Sequence, residues 1–238
     1  MTSPARFATT RWSLIRAAGR DDEFASRRAL SELCELYWFP VYSFVRRRGN
    51  DHDRALDLTQ GFFTRLLERD GLATADPAKG RFRSYLLAAC QHFLANQYDF
   101  AIAQKRGGGE TLLSLNFDNA DGRYGVEPAD GHTAEQEFER RWALALLEQA
   151  LAGLRAEYAD AGKETLFERL KGTLTGESPP LADVAAELGL SEGAVKVAAH
   201  RLRQRYRERL RSAIAETVDS PDEIDGEIRA LFAALGGS

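Results

Sequence analysis

The chain has 238 residues, of which 44% are hydrophobic and 29% are charged, the proportions of an ordinary globular protein. Its longest apolar stretches fall far short of the roughly 20 residues that cross a bilayer, and residues 1–10 lack the apolar segment of a secretion signal. The formal net charge is −4, but basic residues concentrate in two helical segments while acidic ones gather elsewhere. The composition therefore excludes a membrane protein and leaves nucleic-acid binding open.

Apolar residues recur at helical spacing along the chain and strand patterns are nearly absent, so the sequence predicts an all-α fold. We expect the first three helices over 28–48, 53–69 and 82–104, with Pro40 kinking or splitting the first of them. After a stretch rich in Gly, Asn and Asp, helical periodicity returns at Phe138. The remaining helices are expected over 163–174, over 181–188, in a strong segment ending near 215, and over 221–235.

These elements predict two small helical domains joined by a flexible acidic linker. The predicted segments are an N-terminal extension over 1–28, a first domain over 29–106, the linker over 107–137, a second domain over 138–212 and a C-terminal extension helix over 213–238. The acidic residues of the linker are Asp118, Asp121, Glu127 and Asp130.

Two cysteines, Cys34 and Cys90, are far apart and lie near no CxxC or Cys/His pattern. Isolated thiols of this kind are typical of small buried side chains in a reducing cytoplasm, whereas a zinc site needs clustered ligands. The three glycines over 107–109 lack the strand, helix and lysine of a phosphate-binding loop. We therefore expect a cytoplasmic protein that is not an enzyme and holds no metal or cofactor.

The sharpest local pattern lies in residues 181–211, which read LADVAAELGLSEGAVKVAAHRLRQRYRERLR. Val184 and Ala185 give a short helix an apolar face, and Gly189 can adopt the left-handed conformation that ends it. Ser191 is a good N-cap for the helix that follows. Two helices joined by a tight turn with glycine are the helix-turn-helix arrangement.

Projected at about 100° per residue, the second helix of this pair separates into two faces. The apolar side consists of Val195, Ala198, Ala199, Leu202, Tyr206 and Leu210. A recognition helix needs such a partition, because one face packs while the other lies in the major groove. A solvated basic face on an ordinary bundle helix is the alternative. The candidate DNA-binding residues on and beside the basic face are Ser191, Glu192, Lys196, Val197, His200, Arg201, Arg203, Gln204 and Arg207.

Three segments of the N-terminal half, taken in order, resemble region two of bacterial sigma factors. They are LSELCELYWFPVYSFVRRRG (30–49), RALDLTQGFFTRLL (54–67) and GRFRSYLLAACQHFLAN (80–96). The C-terminal block, including LGLSEGAVK, resembles region four of the same proteins. The resemblance is to the extracytoplasmic-function (ECF) group and covers roughly 29–106 and 138–212. It implies a protein that binds core RNA polymerase and directs it to promoters.

In this family, region two binds a basic coiled coil on the polymerase clamp and melts the −10 promoter element, while region four binds the −35 element. The third predicted helix fits the melting role, because basic side chains meet phosphates and aromatic rings stack on unpaired bases. Phe93 is expected to be a core residue instead. The candidates for −10 binding are Arg81, Arg83, Tyr85, His92, Asn96, Gln97, Tyr98, Lys105 and Arg106.

The helix that would meet the clamp carries few acids. Leu56 and Gly61 stand where the family commonly has glutamates. The resemblance therefore implies a weak polymerase contact. The residues that share the polar face on a helical wheel, and so would make this contact, are Asp57, Gln60, Gly61, Thr64 and Glu68.

The missing charge suggests control by phosphorylation, because a phosphate adds about −1.5 to −2 charges that can meet arginines of the clamp. The chain also resembles an ECF subset linked to Ser/Thr kinases, which implies a Ser/Thr protein kinase as a partner. Thr59, within the apolar arc, and Thr64, central on the polar face, are the candidate sites. Constitutively weak binding is one alternative, and masking of DNA or polymerase surfaces by the terminal extensions is another.

A helix-turn-helix regulator that acts without polymerase is the alternative function. Such a protein needs a dimer interface or an effector pocket, and the sequence contains neither clear zipper heptads nor a ligand motif. The ordered N-terminal segments favour the sigma factor.

Overall fold

The computed structural model describes residues 23–67, 81–104, 131–177, 180–218 and 220–236, and every regular element in these ranges is helical, as the sequence predicts. Short 3-10 helices follow α5 at Lys171–Leu174 and precede α8 at Pro221–Glu223. None of the described helices has the length and apolarity needed to cross a membrane. The α-helices are α1 (Glu23–Arg47), α2 (His52–Leu67), α3 (Phe82–Gln104), α4 (Ala134–Asp160), α5 (Glu164–Leu170), α6 (Leu181–Leu188), α7 (Glu192–Ala215) and α8 (Ile224–Leu235).

Local side-chain caps set the starts of two helices. The carboxylate of Asp51 accepts the backbone N–H of Arg54 at 2.8 Å and begins α2. Thr133 and Gln136 cap α4 reciprocally, with N···O distances of 2.8 and 3.2 Å. Residues 134–137, predicted as the end of the linker, therefore belong to α4. The extension up to residue 22 and residues 105–130 lie outside the described ranges.

Helix α1 runs through Pro40 as a single element, so the predicted possibility of two separate helices is wrong. Proline has no N–H to donate to the carbonyl of Leu36, and the helix loses that hydrogen bond. Burial of the helix on both sides of Pro40 compensates, since Tyr37, Val41 and Phe44 are at most 1% exposed.

The described helices form two compact units. Unit 1 comprises the described parts of 1–145 and of 215–238, and unit 2 comprises the described parts of 146–214. Helix α4 contributes its first half to unit 1 and its second half to unit 2. Helix α8, which the sequence sets apart as a C-terminal extension, belongs to unit 1.

Unit 1 has an aromatic core. Tyr37 packs edge-on against Phe82 with ring centroids 5.4 Å apart, and Phe62 packs against Phe93 at 5.8 Å. These contacts join α1 to α3 and α2 to α3, and they confirm Phe93 as a core residue.

Unit 2 has a core that is mostly aliphatic and draws on all four of its helices. Because both helices of the predicted helix-turn-helix contribute to it, their relative orientation is fixed by packing as well as by the turn. The buried core residues are Leu154, Phe167, Leu170, Val184, Ala185, Val195, Ala199 and Leu202.

Candidate nucleic-acid interface

Helices α6 and α7 are joined by the turn that the sequence predicts. Gly189 has a φ of +64°, in the left-handed region, and the Leu190 N–H donates to the Ala185 carbonyl at 2.9 Å. The Ser191 hydroxyl accepts the N–H of Ala194 at 3.2 Å, which confirms Ser191 as the N-cap of α7. The turn and the caps therefore direct α7 across α6 within unit 2.

The two faces of α7 are separated as the helical projection predicts. Every residue assigned to the apolar side is buried or half-buried. DNA contact by the basic face stays a prediction. Such contact requires the candidate residues to be exposed together along α7, and they are. The candidate DNA-binding residues that are exposed are Ser191, Glu192, Lys196, Val197, His200, Arg201, Arg203, Gln204 and Arg207.

The basic side chains of α7 fall into two groups. Arg205 and Arg209 turn towards α4 and pair with Glu157, with N···O distances of 2.8 and 2.7 Å. The Glu157 carboxylate thus forms ion pairs with the arginines on one flank of the helix. The lysine and arginines among the exposed DNA-binding candidates that have no ion-pair partner in the described part of the chain are Lys196, Arg201, Arg203 and Arg207.

The Glu157 pair gives unit 2 an acid-sensitive contact. Hydrogen bonds from Arg205 and Arg209 lower the pKa of Glu157 below its ordinary value of 4.5. Because the folded-state pKa is lowered, the ion pair stabilises unit 2 above pH 4.5, and this stabilisation is lost as the pH falls through the lowered pKa.

We expect the melting temperature of unit 2 to fall less in this acid range for Glu157→Gln than for wild type. Asp160→Asn is the control and should show the same dependence of melting temperature on pH as wild type. Identical profiles for wild type and Glu157→Gln would refute this.

A groove of about 650 Å³ adjoins the outer face of α7 within unit 2. Tyr158 and Leu166 contribute apolar walls from the α4 and α5 side. Val197, Arg201 and Gln204, three of the predicted DNA-binding residues, line it from α7. The exposed face of α7 and this groove therefore form one continuous surface.

Arg81 and Arg83, predicted to bind promoter phosphates, both contact Glu227 of α8. The Arg83 side chain is only 6% exposed, its Nε lies 2.7 Å from a carboxylate oxygen of Glu139, and its guanidinium lies 4.3 Å from the Trp142 ring centroid. In this conformation Arg83 is a buried ion-pair residue rather than the exposed phosphate contact that the sequence suggests. The reason is a partner 144 residues away in the chain.

Three other −10 candidates share one strip of α3. Tyr85, His92 and Asn96 follow one another at intervals of seven and four residues, which are close to two helical turns and one. His92 and Asn96 are exposed, and Tyr85 is half-buried. The structure thus brings one aromatic ring and two polar side chains onto a common surface.

The remaining −10 candidates do not join this strip. Tyr98 is 49% exposed, and its hydroxyl lies 3.4 Å from the side-chain oxygen of Asn50, in the turn between α1 and α2. Gln97 is half-buried on another face of α3. Lys105 and Arg106 lie outside the described residues.

The predicted polymerase-facing strip of α2 is narrower than the helical wheel suggests. Gly61, assigned to the polar face, is buried, and a methyl group on its Cα would lie 3.4 Å from the Phe93 ring. Its placement on an exposed face is therefore wrong, because α3 packs over this side of α2. Glu68 lies outside the described residues. The members of the strip that are not buried are Asp57, which is exposed, and Gln60 and Thr64, which are half-buried.

The two candidate threonines differ in access. Thr59 is fully buried, and its hydroxyl donates to the Ala55 carbonyl at 2.7 Å. This confirms the interpretation of Thr59 as a core residue of α2. Thr64 is only half-buried and is therefore the more accessible of the two.

The cysteines have no reactive character. Cys90 is buried and Cys34 is half-buried, and burial raises the pKa of both thiols to about 12. Both are therefore protonated at neutral pH, where a thiol is a poor nucleophile. Among the residues that the structure describes, no group of three or more His, Cys, Asp or Glu side chains is placed to hold a metal ion.

Two acids that organise these surfaces, Glu157 and Glu227, are missed by reasoning from the sequence. Glu227 lies three residues after Ile224 and four before Leu231, so an acid at the centre of an apolar stripe is the signal that identifies it. Glu157 has no comparable signal, because its partners lie 48 and 52 residues away along the chain.

Comparison of the chain with models of protein families, with curated proteins and with solved structures finds no match.

Proposed function

We propose that this chain is an RNA polymerase sigma factor of the extracytoplasmic-function type, which directs core polymerase to specific promoters and initiates transcription there. The observation that carries the proposal is the division of α7 into two faces. One face packs into the core of unit 2, and the other is basic and exposed. A recognition helix in the major groove requires this division. The ordered resemblance of residues 30–96 to region two favours a polymerase subunit over a repressor.

In this proposal α7 lies in the major groove of the −35 element. Lys196, nearer its N-terminus, approaches base edges, while His200, Arg203 and Arg207 meet phosphates farther along. The net charge of −4 does not oppose binding, because DNA meets the local field of this face rather than the sum over the chain.

Unit 1 is proposed to act on the −10 element. The strip of Tyr85, His92 and Asn96 offers a ring for stacking and two polar side chains for hydrogen bonds to an unpaired base. Stacking of a base on an aromatic side chain is worth about 1–3 kcal/mol, enough to favour the melted strand locally.

Core polymerase is proposed to contact the exposed strip of α2 through its clamp coiled coil. Asp57 supplies the acid of this strip, and a phosphate on Thr64 would add about −1.5 to −2 charges beside it. A Ser/Thr protein kinase is therefore proposed as a partner. We place the modification on Thr64 rather than Thr59, because the Thr59 hydroxyl is buried and hydrogen-bonded.

The second candidate function is a helix-turn-helix regulator that binds DNA without polymerase. It is a candidate because the pair of helices α6 and α7 is the only DNA-binding element that such a regulator needs. Such regulators usually read two half-sites as dimers. A monomer that co-purifies with core polymerase would exclude this candidate. Both functions belong in the cytoplasm, and neither requires catalysis, a metal or a cofactor.

Transcription in vitro tests the proposal. Purified core polymerase is supplied with the wild-type chain, Thr64→Glu or Thr64→Gln on DNA from upstream of the chain's own coding sequence. We expect a specific transcript only when the chain is present, and several-fold more with Thr64→Glu, because its carboxylate adds charge to the polymerase-facing strip. Thr64→Gln is the matched control, since it has the same shape without the charge.

The outcomes distinguish the proposed sigma function from the proposed control at Thr64. Equal transcript from wild type and Thr64→Glu keeps the sigma function and removes Thr64 as its control point. Absence of both transcript and core binding, with DNA binding intact, makes the regulator the better assignment.

A further inference from the structure

Helix α8 buries a carboxylate on its apolar stripe. Ile224 and Leu231 are 8% and 0% exposed, and Glu227 between them is 1% exposed. Burying a carboxylate is far less favourable than burying an apolar side chain unless the charge is paired. Specific partners on the surface beneath α8 must therefore hold Glu227.

Those partners are the two arginines at the start of α3. Arg81 Nε lies 3.0 Å from one carboxylate oxygen of Glu227, and the Arg83 guanidinium contacts the other. Arg83 also pairs with Glu139 at 2.7 Å and stacks over Trp142 of α4. The network joins α8 to α3 and α4 inside unit 1.

The network is electrically balanced only while α8 is docked. It holds two arginines and two glutamates, Glu139 and Glu227. Without α8, Arg81 loses its ion-pair partner and Arg83 keeps only Glu139, which leaves one excess positive charge at the start of α3. Arg81 is four residues before Tyr85, so this charge adjoins the strip proposed to bind the −10 strand.

We propose that α8 is an internal competitor of nucleic acid, in which the Glu227 carboxylate occupies the arginines that bind phosphates of single-stranded promoter DNA once α8 undocks. This inference rests on the function proposed for unit 1 and adds a regulatory step to it. A guanidinium binds carboxylate and phosphate with the same forked geometry, so phosphate can replace Glu227. The Arg81 side chain is 36% exposed and is the first that a phosphate reaches, while Arg83 becomes accessible after α8 lifts.

Two adjacent residues of α8 provide a matched pair of variants. Leu231→Asp places a charge on the buried stripe and undocks α8, whereas Phe232→Asp makes the same change at a side chain that is 58% exposed. Binding of the full-length variants to a fluorescein-labelled single-stranded oligonucleotide is measured by anisotropy over a series of salt concentrations. Circular dichroism reports whether each variant is folded.

We expect Leu231→Asp to bind the oligonucleotide more tightly than wild type, and Phe232→Asp to bind it as wild type does. Each phosphate neutralised on a single strand contributes about 0.7 to the slope of log K against log salt, which is about fivefold in affinity at about 0.1 M salt. Adding Arg81→Ala to Leu231→Asp should remove one such contribution. A folded Leu231→Asp variant with wild-type affinity and salt slope would overturn the proposal.

Hydrogen exchange of the wild-type chain gives a second test that needs no folded variant. Saturating single-stranded DNA should accelerate exchange of the amides over 224–235, because binding displaces α8. Unchanged or slower exchange there, with the oligonucleotide bound, contradicts the competition.

The failure of this inference is distinguishable from failure of the proposed function. If α8 is only a structural element, duplex binding by the exposed face of α7 persists while the variants leave single-strand binding unaltered. If the wild-type chain binds neither duplex nor single strand and Leu231→Asp does not change this, both proposals fail.

Discussion

Replacing Arg203 and Arg207 together with alanine is expected to weaken binding of duplex promoter DNA about 30-fold at about 0.15 M salt, or by about 2 kcal/mol. Both side chains are exposed on the outer face of α7 and have no ion-pair partner in the described ranges, so they are available to phosphates. Each lost phosphate contact also makes the slope of log K against log salt shallower by about 0.9. Fluorescence anisotropy over a salt series measures both quantities.

The same helix supplies the control for this experiment. The double variant Arg205→Ala/Arg209→Ala removes the same charge, but it removes it from arginines that are ion-paired with Glu157. We expect its DNA affinity to stay close to wild type. Equal losses from the two double variants would show that total charge, and not the exposed face of α7, governs binding.

Replacing Glu227 with glutamine is expected to lower the free energy of unfolding of unit 1 by about 3 kcal/mol. The substitution leaves Arg83 buried with one carboxylate partner instead of two and removes the ion-pair partner of Arg81. Loss of one member of a buried pair is costly because the remaining charge keeps its desolvation penalty without its compensation. Urea denaturation followed by tryptophan fluorescence measures the change, since Trp142 lies directly against Arg83.

Glu223→Gln is the matched control, because it removes an acid that is exposed at the start of the same segment. We expect it to leave the unfolding midpoint unchanged. The double variant Arg83→Leu/Glu227→Leu, which removes both buried charges, should recover part of the lost stability. If Glu227→Gln is as stable as Glu223→Gln, the ion network does not hold α8 in place.

The helix-turn-helix shows how far local sequence signals determine structure. The bounds of α3 and α6 agree with the predicted 82–104 and 181–188, and the Ser191 cap and Gly189 turn are as predicted. Caps, glycine turns and apolar periodicity act over a few residues, so the chain reports them directly. The same locality explains why the two faces of α7 follow from a helical projection.

Pro40 and Gly61 show where local signals mislead. A proline predicts an interruption of α1, but packing on both sides of Pro40 outweighs one missing hydrogen bond. A helical wheel places Gly61 among polar neighbours, but it contains no information on which other helix packs there. Contact with Phe93 of α3 decides that Gly61 is buried.

By itself the sequence determined the all-helical fold, the helix-turn-helix and its exposed basic face, because periodicity and capping are short-range properties. The tertiary structure alone decided that α8 packs within unit 1, that Glu227 holds Arg81 and Arg83, and that Glu157 holds one flank of α7. Long charged side chains reach any partner that the fold brings near, whatever its distance along the chain. The pairing of charges therefore follows from the packing of helices, and it decides which basic residues are left for nucleic acid.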